Sequence, residues 1–356
     1  MTQAFASDWP RISPEEAGLP ADLADRTDAA AAAGEFGNVH AILVARNGKL
    51  LLERYYKGED EAWGDDLGEV QFGPDVLHDL RSISKSVVGL LYGIALDKGL
   101  VPGLGAVLID QFPALADLAE EPERRRILVH HALTMNLGLE WDETRPYLDQ
   151  RNSEIAMEYA EDRVQYVLSR PIVAPAGTAW QYSGGATAIL GQLIVNGSGM
   201  SLEAFAAKHL FEPLGIKIYH WARGGRTRTH VAASGLRLLP ADLAKIGQLL
   251  LQNGEWNGRQ IVPLAWLEES LKAQSELSNP GPFSYGYHWY VGVGQRSGQP
   301  FQAAFGNGGQ TLVINPAEQQ VYVFMAGAYN EPDAWKLSIA FNTKVYFPAL
   351  DEAGMR

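Results

Sequence analysis

The sequence predicts an α+β fold: a mixed antiparallel sheet built from both chain ends and flanked by helices, with a mainly helical subdomain inserted between them. Near the N-terminus two β-rich runs, residues 40–46 and 49–56, flank Asn47-Gly48, which is a strong hairpin signal. Near the C-terminus, residues 311–316 and 320–326 form a second strand pair. From Ser82 to about Leu239 the patterns are helical. We therefore expect a sheet domain of residues 1–81 and 241–356, a helical subdomain of residues 82–240, and a binding cleft between them.

The individual elements follow from periodicity and from helix stop signals. Residues 20–33 are alanine-rich with interspersed acids and predict a first helix that ends at Gly34 and Gly37. Residues 58–75 are rich in Gly and Asp and predict a polar loop. The remaining predicted elements are helices over 82–99, 127–135, 154–169, 186–195, 202–210, 241–252, 265–272 and 335–347, and an aromatic strand over 285–292.

Composition excludes several classes of function. The 356 residues are 46% hydrophobic and 20% charged, as in ordinary globular proteins. A net charge of -13 argues against a general nucleic-acid binder, which needs a basic face to neutralise phosphates. The chain has no cysteine, so disulfides, thiolate metal sites and cysteine nucleophiles are excluded.

The compartment is predicted from two further patterns. No stretch approaches about 20 uninterrupted apolar residues, so we expect no membrane span. Residues 1–10 lack a basic start followed by an apolar core, so we expect no signal peptide and a cytoplasmic protein. A periplasmic location stays open if a leader has been trimmed from the chain. The oligomeric state is open as well.

The first chemical motif is Ser82-Ile83-Ser84-Lys85 at the start of a strongly apolar helix. Residues three apart on a helix share one face, and a serine needs a base within hydrogen-bond reach to become a nucleophile. Burial against the apolar helix would favour an uncharged lysine. Ser82 is therefore a candidate nucleophile with Lys85 as its activator; the alternative is a helix-capping serine beside a solvated lysine.

A second motif, residues 174–185, presents Tyr182 from a Pro/Gly loop just before a helix. A phenol near a serine–lysine pair can act as general base and then general acid, if the ammonium lowers its pKa. The alternative is a tyrosine whose hydroxyl has only a structural partner.

A third motif is Asn307-Gly308-Gly309-Gln310, which leads into a β-patterned run. Glycines in a strand favour close approach of a ligand or of another backbone. The backbone N–H of Gln310 could thus stabilise an oxyanion. The alternative is a plain glycine turn.

Other polar residues carry weaker expectations. His288 lies among aromatic residues and is a candidate for lining the substrate pocket. Residues 140–143 (Glu-Trp-Asp-Glu) predict a solvated loop near the mouth of the cleft. No His, Asp or Glu cluster has metal-ligand spacing along the sequence, and no phosphate-binding glycine loop precedes a helix, so no metal and no cofactor are expected.

The three motifs, in this order and separated by a helical insert, resemble the serine hydrolases of the class C β-lactamase and penicillin-binding-protein superfamily, in particular its esterase and 6-aminohexanoate-dimer-hydrolase-like branch. The resemblance extends over roughly residues 17–328. It implies a β-lactamase/transpeptidase-like fold and an acyl-enzyme on Ser82, with Lys85 and Tyr182 as proton shuttle. It also implies that the N–H groups of Ser82 and Gln310 hold the oxyanion, beside Gly184, Asn307, Gly308 and Gly309.

Two departures from the family pattern bear on the substrate. Gly184 stands where many relatives have an asparagine, which removes an amide that would orient Lys85 or the substrate. Asn307 stands where β-lactamases have a lysine that helps to recognise a substrate carboxylate. These changes favour hydrolysis of a small ester or amide over β-lactamase or D,D-peptidase activity. A non-catalytic binding or assembly protein on the same fold is the remaining alternative.

Overall fold

The computed structural model describes residues 9–226, 228–278 and 281–355. Most of the segment used for the signal-peptide prediction lies outside this range. The strands are β1 (Val39–Arg46), β2 (Lys49–Tyr55), β3 (Lys57–Ala62), β4 (Asp65–Gln71), β5 (His78–Asp79), β6 (Tyr219–Trp221), β7 (Arg223–Gly224), β8 (Thr229–His230), β9 (Leu236–Leu238), β10 (Glu255–Trp256), β11 (Arg259–Gln260), β12 (Ser275–Glu276), β13 (Phe283–Tyr285), β14 (Tyr290–Val293), β15 (Pro300–Gly306), β16 (Gln310–Asn315) and β17 (Gln320–Ala326).

The helices fall mostly between β5 and β12, with one before β1 and two after β17. They are α1 (Leu23–Ala32), α2 (Ile83–Asp97), α3 (Val129–Leu133), α4 (Ser153–Tyr159), α5 (Arg163–Leu168), α6 (Gly184–Ser198), α7 (Leu202–Ala206), α8 (Pro240–Leu251), α9 (Leu264–Ser270), α10 (Trp335–Phe341) and α11 (Phe347–Glu352). Short 3-10 segments cover Ile109–Gln111, Pro113–Glu120 and Arg124–Arg126, and π-helical turns cover Ala207–Phe211 and Asn342–Tyr346.

Strands from both ends of the chain form one eight-stranded sheet in the order β12-β13-β14-β15-β16-β17-β1-β2. Each pair in it is antiparallel. The β1–β2 hairpin turns at Asn47 (φ 51°) and Gly48 (φ 75°), as a primed hairpin turn requires. The predicted fold class is therefore confirmed. The division at residues 81/82 and 240/241 stays a prediction.

Both faces of this sheet are buried, which explains why β1 reads as a continuous apolar run. On β1, Ala41 and Leu43 belong to the large core with α2 and α8. The alternate residues Ile42 and Val44 pack with Phe341 in a second core under the terminal helices. Because side chains alternate across a strand, one strand supplies both cores.

A three-stranded sheet, β5-β9-β6, joins β5 to two short strands of the predicted mainly helical segment 82–240, strands that the sequence did not indicate. It has a direct role in placing the start of α2. Its first strand, β5, ends at Asp79, and Leu80 N–H then donates to Leu236 O at 2.9 Å. The chain therefore enters α2 from a fixed strand rather than from a free loop.

Three expectations for individual elements are wrong. The polar segment 58–75 contains the β3–β4 hairpin. The run 154–169 forms two helices, because Asp162 accepts a hydrogen bond from Gln165 N–H and starts α5 as a new helix. The run 285–292 is two strands, β13 and β14, joined by a turn in which His288 has φ 62°.

The remaining helix predictions hold with shifted ends. The helix expected at residues 127–135 is only the five-residue α3, and the closing helix extends to Glu352 through a π-helical turn. Every residue of α2 from Ile83 to Ala95 is buried, so α2 is the central helix of the core. Among the described residues, no helix combines the length and apolar character needed to cross a bilayer.

Candidate active site

Ser82 occupies the N-cap position of α2, immediately after a strained residue. Arg81 has φ 49°, a left-handed conformation that costs a non-glycine residue about 1–3 kcal/mol. Its guanidinium forms ion pairs with Glu61 and Asp79 and lies 4.6 Å from the ring centroid of Tyr329. These contacts hold the turn that presents the Ser82 hydroxyl at the mouth of α2.

The Ser82 hydroxyl is engaged by Lys85 and not by the helix backbone. Lys85 Nζ donates to Ser82 Oγ at 3.1 Å. Within the described part of the chain, the Ser82 side chain caps no amide of α2. Lys85 is only 1% exposed, so the alternative of a capping serine beside a solvated lysine does not describe this structure.

Lys85 has two further partners that the sequence did not indicate. Its Nζ also donates to Glu154 Oε2 at 3.3 Å and to Ala233 O at 3.1 Å. The side chains of Lys85 and Glu154 are 1% and 4% exposed. A buried ammonium needs a paired charge and filled hydrogen bonds, and Glu154 on α4 supplies the charge.

Tyr182 lies where the sequence placed it, beside the serine–lysine pair. Its hydroxyl is within hydrogen-bonding reach of the Ser82 side chain, and Lys85 Nζ lies 4.9 Å from the centroid of its ring. The expected lowering of its pKa is wrong. Burial raises the pKa of Tyr182 well above its ordinary value, helped by Tyr290 and Glu143, and the Ser82 hydrogen bond opposes this only in part. The tyrosine is therefore a neutral phenol.

Glu143 forms a second carboxyl group beside this site. The expectation of a solvated loop at residues 140–143 holds for Glu140, which is exposed, but is wrong for Trp141 and for the Glu143 carboxyl group. Trp141 is 7% exposed and its indole Nε1 donates to Glu143 Oε1 at 2.6 Å. The N–H of Gly184 donates to the same oxygen, and Tyr147 donates to Oε2 at 3.2 Å. Glu143 is half-buried overall, but these contacts turn its carboxyl group inward, where it hydrogen-bonds with Glu154.

The third motif lies at the turn between β15 and β16. Gly308 and Gly309 have φ of 95° and 92°, so both positions require glycine. Asn307 lines the cleft beside Ser82 and its Nδ2 donates to Asn330 Oδ1 at 2.9 Å. The side chain of Gln310 is buried and joins β17 through Ala326 N and O, which leaves only its backbone as a candidate for binding an oxyanion.

His288 is placed apart from the cleft. It is 1% exposed, its Nε2 lies 3.1 Å from Thr187 Oγ1, and its carbonyl accepts from Ser86 Oγ at 2.5 Å. Burial lowers its pKa to about 3, with the Lys85 charge adding to the effect. Because His288 is enclosed behind α2, the expectation that it lines the substrate pocket does not agree with the structure.

A cleft of about 590 Å³ opens over Ser82. Its walls come from separated parts of the chain, including Trp63 on the β3–β4 hairpin, Tyr147 before α4, and Ser234 before β9. Trp63 Nε1 donates to Ser234 Oγ at 3.3 Å, and Ser234 Oγ donates to Glu154 Oε1 at 2.9 Å. One hydrogen-bonded chain thus runs from the cleft wall through Glu154 and Lys85 to Ser82, and sequence spacing gave no signal for its outer members.

His40, Asp60 and His78 form the described group whose spacing could suit a metal ion, with one potential ligand atom from each within 4.8 Å of the others. Their polar atoms already have partners. His40 Nδ1 and His78 Nε2 share a hydrogen bond of 2.8 Å, and Asp60 accepts from Tyr329 at 2.8 Å. Arg237 lies 3.4 Å from Asp60 and adds positive charge, so the arrangement fits a hydrogen-bonded chain better than a cation site.

Comparison with known proteins agrees with this geometry. The family model for Beta-lactamase matches residues 29–339, so the chain belongs to the Beta-lactamase family. It is 24% identical over 315 residues to a 6-aminohexanoate-dimer hydrolase of Paenarthrobacter ureafaciens, covering 82% of this chain and 73% of the relative. The family comprises hydrolases, as the names of this relative and of the structural neighbours indicate.

Solved structures share the fold. A Bacillus anthracis protein named provisionally as a 6-aminohexanoate-dimer hydrolase superposes with a TM-score of 0.75 at 20% identity, over 98% of this chain and 89% of its own. EstCE1, a hydrolase with promiscuous acyltransferase activity, gives 0.71 at 16% identity over 91% and 98%. A penicillin-binding-protein homologue from Caulobacter crescentus gives 0.67 at 16% identity over 92% and 98%.

Proposed function

We propose that this chain is a serine hydrolase that cleaves a small ester or amide through an acyl-enzyme on Ser82. The observation that carries the proposal is the Ser82–Lys85 contact of 3.1 Å, with the Tyr182 hydroxyl in reach, at the floor of a cleft of about 590 Å³. A nucleophile, a cation and a phenol that lie together at a cleft satisfy the requirements for covalent acyl transfer.

In the proposed acylation step, Ser82 Oγ forms a bond to the carbonyl carbon while its proton moves to the Tyr182 oxygen. The Tyr182 proton passes to the leaving oxygen or nitrogen as the bond to the carbonyl carbon breaks. A phenol that accepts one proton while it donates another need not become a phenolate, which suits the raised pKa of Tyr182. Lys85 supplies a positive charge beside the developing negative charge on Oγ. Water then hydrolyses the acyl-enzyme by the reverse relay.

We further propose that the N–H groups of Ser82 and Gln310 hold the carbonyl oxygen as it becomes an oxyanion. Ser82 lies at a helix N-terminus, where N–H groups carry partial positive charge. Gln310 begins β16 opposite Gly306, and a Cβ on Gly306 would lie 2.4 Å from Leu80 O. The β15–β16 hairpin thus packs directly against the residues that precede Ser82, and this packing supports the proposal that the two N–H groups act together.

An ester is favoured over an amide because an ester's leaving group needs less protonation, and the phenol here is a weak acid. The name of the Paenarthrobacter relative supports testing amides, including the dimer of 6-aminohexanoate. β-Lactamase or D,D-peptidase activity is the second candidate within enzymes. Asn307, bonded to Asn330, presents no ammonium where those enzymes use lysine to bind a carboxylate, which weighs against it.

The test is intact-mass spectrometry after exposure to a fluorophosphonate and, separately, to a penicillin. We expect the fluorophosphonate to add to wild type and to Ser169→Ala, an exposed-serine control, and not to Ser82→Ala. Because Ser82 caps no amide of α2, Ser82→Ala should fold normally. An adduct with penicillin would shift the assignment to the second candidate. Labelling that persists in Ser82→Ala would contradict the proposal, and absence of labelling in wild type would favour a binding protein.

A further inference from the structure

The buried carboxyl pair Glu143–Glu154 has no part in the serine–lysine–tyrosine scheme, yet it contacts the lysine. Glu154 Oε2 lies 3.3 Å from Lys85 Nζ, and its other oxygen accepts from Ser234 at 2.9 Å. Glu154 is held in place by the start of α4, where Asn152 Oδ1 accepts from Glu154 N–H at 2.9 Å. A side chain fixed at both ends in this way defines the position of the ammonium that it binds.

Gly184 makes room for this arrangement. A Cβ at position 184 would lie 2.4 Å from Glu154 Oε2 and 2.7 Å from Glu154 Cδ, so the Glu154 carboxyl group would have to move to admit any side chain there. A polar side chain at position 184 would therefore occupy the volume that the Glu154 carboxylate fills. Glu154 can therefore lie beside Lys85 because position 184 has no side chain.

The charge of the pair is set by a single shared proton. Burial raises the pKa of Glu143 to about 8, and repulsion from Glu154 adds to this, while Lys85 and the Gly184 N–H oppose it. Burial also acts to raise the pKa of Glu154, but Lys85 and hydrogen bonds with Glu143 and Ser234 hold it below its ordinary value. At neutral pH Glu143 is thus the neutral donor and Glu154 the carboxylate.

The groups around the pair agree with one negative charge rather than two. The ionisable side chains that face it from the packed elements are Lys85, Tyr147, Glu158, Tyr182, Tyr285 and Tyr290. Lys85 is the single cation among these six. Glu158 has its own cation, Arg163, at 2.5 Å, so one carboxylate of the pair balances Lys85. A second charge on Glu143 would leave a net negative site and pull the ammonium from Ser82 towards the carboxylates.

We propose that Glu154 is a positioning residue that holds the Lys85 ammonium against Ser82 from the space left by Gly184, and that the Glu143 carboxyl group, hydrogen-bonded to Glu154, keeps Glu154 available for this contact. The inference rests on the proposed acyl-enzyme chemistry at Ser82. It assigns to two residues outside the three sequence motifs a role in the rate and the pH dependence of that chemistry.

The first experiment replaces Gly184 and Glu154, singly and together. Hydrolysis of p-nitrophenyl butyrate is the readout, and Ser82→Ala gives the background rate. Gly184→Asn and Glu154→Ala should each lower kcat about 100-fold with little change in KM, because the lysine is misplaced by about an ångström. The double variant Glu154→Ala/Gly184→Asn should recover to within about tenfold of wild type, since the amide enters the vacated volume near Lys85. A double variant no better than the worse single variant would overturn the proposal.

The second experiment follows kcat against pH in wild type, Glu143→Gln and the exposed control Glu268→Gln. With a group of pKa about 8, wild type and control should lose about tenfold between pH 7 and pH 9 as the proton leaves. Glu143→Gln mimics the protonated acid and should abolish most of that fall. A fall of equal size in Glu143→Gln would overturn the role of Glu143, even if the Gly184 and Glu154 variants were to misfold.

Fluorophosphonate labelling distinguishes a failure of the positioning role from a failure of the proposed function. Wild type that labels at Ser82 while the double variant shows no compensation would overturn the positioning role and leave the proposed function standing. Wild type that neither labels nor hydrolyses the ester would overturn the proposed function itself.

Discussion

The protein has two clusters of ionisable groups that differ in what they contact. The cleft cluster consists of Lys85, Glu143 and Glu154 and reaches the Ser82 hydroxyl. The hairpin cluster consists of His40, Asp60, His78 and Arg237 and ties β1, β3 and β5 to β9. The hairpin cluster and the Lys85–Glu154 pair are almost fully buried, and both clusters contain groups with shifted pKa values.

The two clusters differ in their access to the cleft and in whether they contact a candidate nucleophile. Glu154 of the cleft cluster lines the cleft together with Ser82. The polar atoms of the hairpin cluster instead hydrogen-bond with one another and with Tyr329, Leu77 and Asp79. Perturbed pKa values mark functional sites only probabilistically, because structural networks also produce them. We therefore expect the cleft cluster to control rate and the hairpin cluster to control stability.

The largest expected effect is the loss of activity in Lys85→Met. Removing the ammonium takes away the charge beside Ser82 Oγ and leaves Glu154 buried without its cation, so kcat/KM should fall about 1000-fold. The measurement is ester hydrolysis by protein shown to be folded by circular dichroism. Lys245→Met is a matched control, because Lys245 pairs with Asp242 at 2.7 Å on α8, away from Ser82. Near-normal activity in Lys85→Met would remove the distinction between the two clusters.

A smaller effect, on stability and not on activity, is expected from Asp60→Asn. Removing this charge leaves the buried Arg237 with less compensation, so the free energy of unfolding should fall by about 3 kcal/mol. Activity per folded molecule should stay within about threefold of wild type, since Asp60 contacts neither Ser82 nor Lys85. Urea unfolding gives the first quantity, and ester kinetics normalised to fluorophosphonate titration give the second. A large loss of normalised activity would show that the hairpin cluster also serves catalysis.

A third effect, spread over several pH units, concerns stability in acid. Burial lowers the pKa of both His40 and His78 from 6.5 to about 3. The unfolded chain therefore takes up these protons at a higher pH than the folded chain. Stability is complete above about pH 6.5 and falls as the pH decreases towards 3, by up to ~1.4 kcal/mol per pH unit for each histidine.

Urea midpoints measured from pH 7 to pH 4 test this expectation. In His78→Gln, the decrease in stability with falling pH should be less steep, by the equivalent of about one proton taken up on unfolding. His220→Gln, at an exposed position, should leave this slope unchanged. If the pH dependence of stability below pH 7 has the same slope in His78→Gln as in wild type, other groups cause the acid sensitivity. His288, near the cleft cluster, is then the next candidate.

Much of the fold could be predicted because its signals are local. The Asn47-Gly48 turn joined two strands, and the apolar run after Lys85 formed the central helix. The predictions of individual elements were wrong where one local sequence pattern is compatible with two different structures. Residues 58–75 are polar because β3 and β4 form a hairpin away from the eight-stranded sheet, and residues 285–292 turn at His288 because Tyr287 N–H donates to Ser270 O and Gly286 N–H to Trp289 O.

The sequence by itself determined the serine–lysine contact, because residues three apart on one helix must share a face whatever surrounds them. It also determined the order of the three motifs. Only the tertiary structure decided that Glu154, 69 residues from Lys85, would become its counter-ion in the space left by Gly184, and that Tyr182 would be a neutral phenol. Side-chain charge and protonation depend on burial and on distant neighbours, and those are fixed only when separate segments pack together.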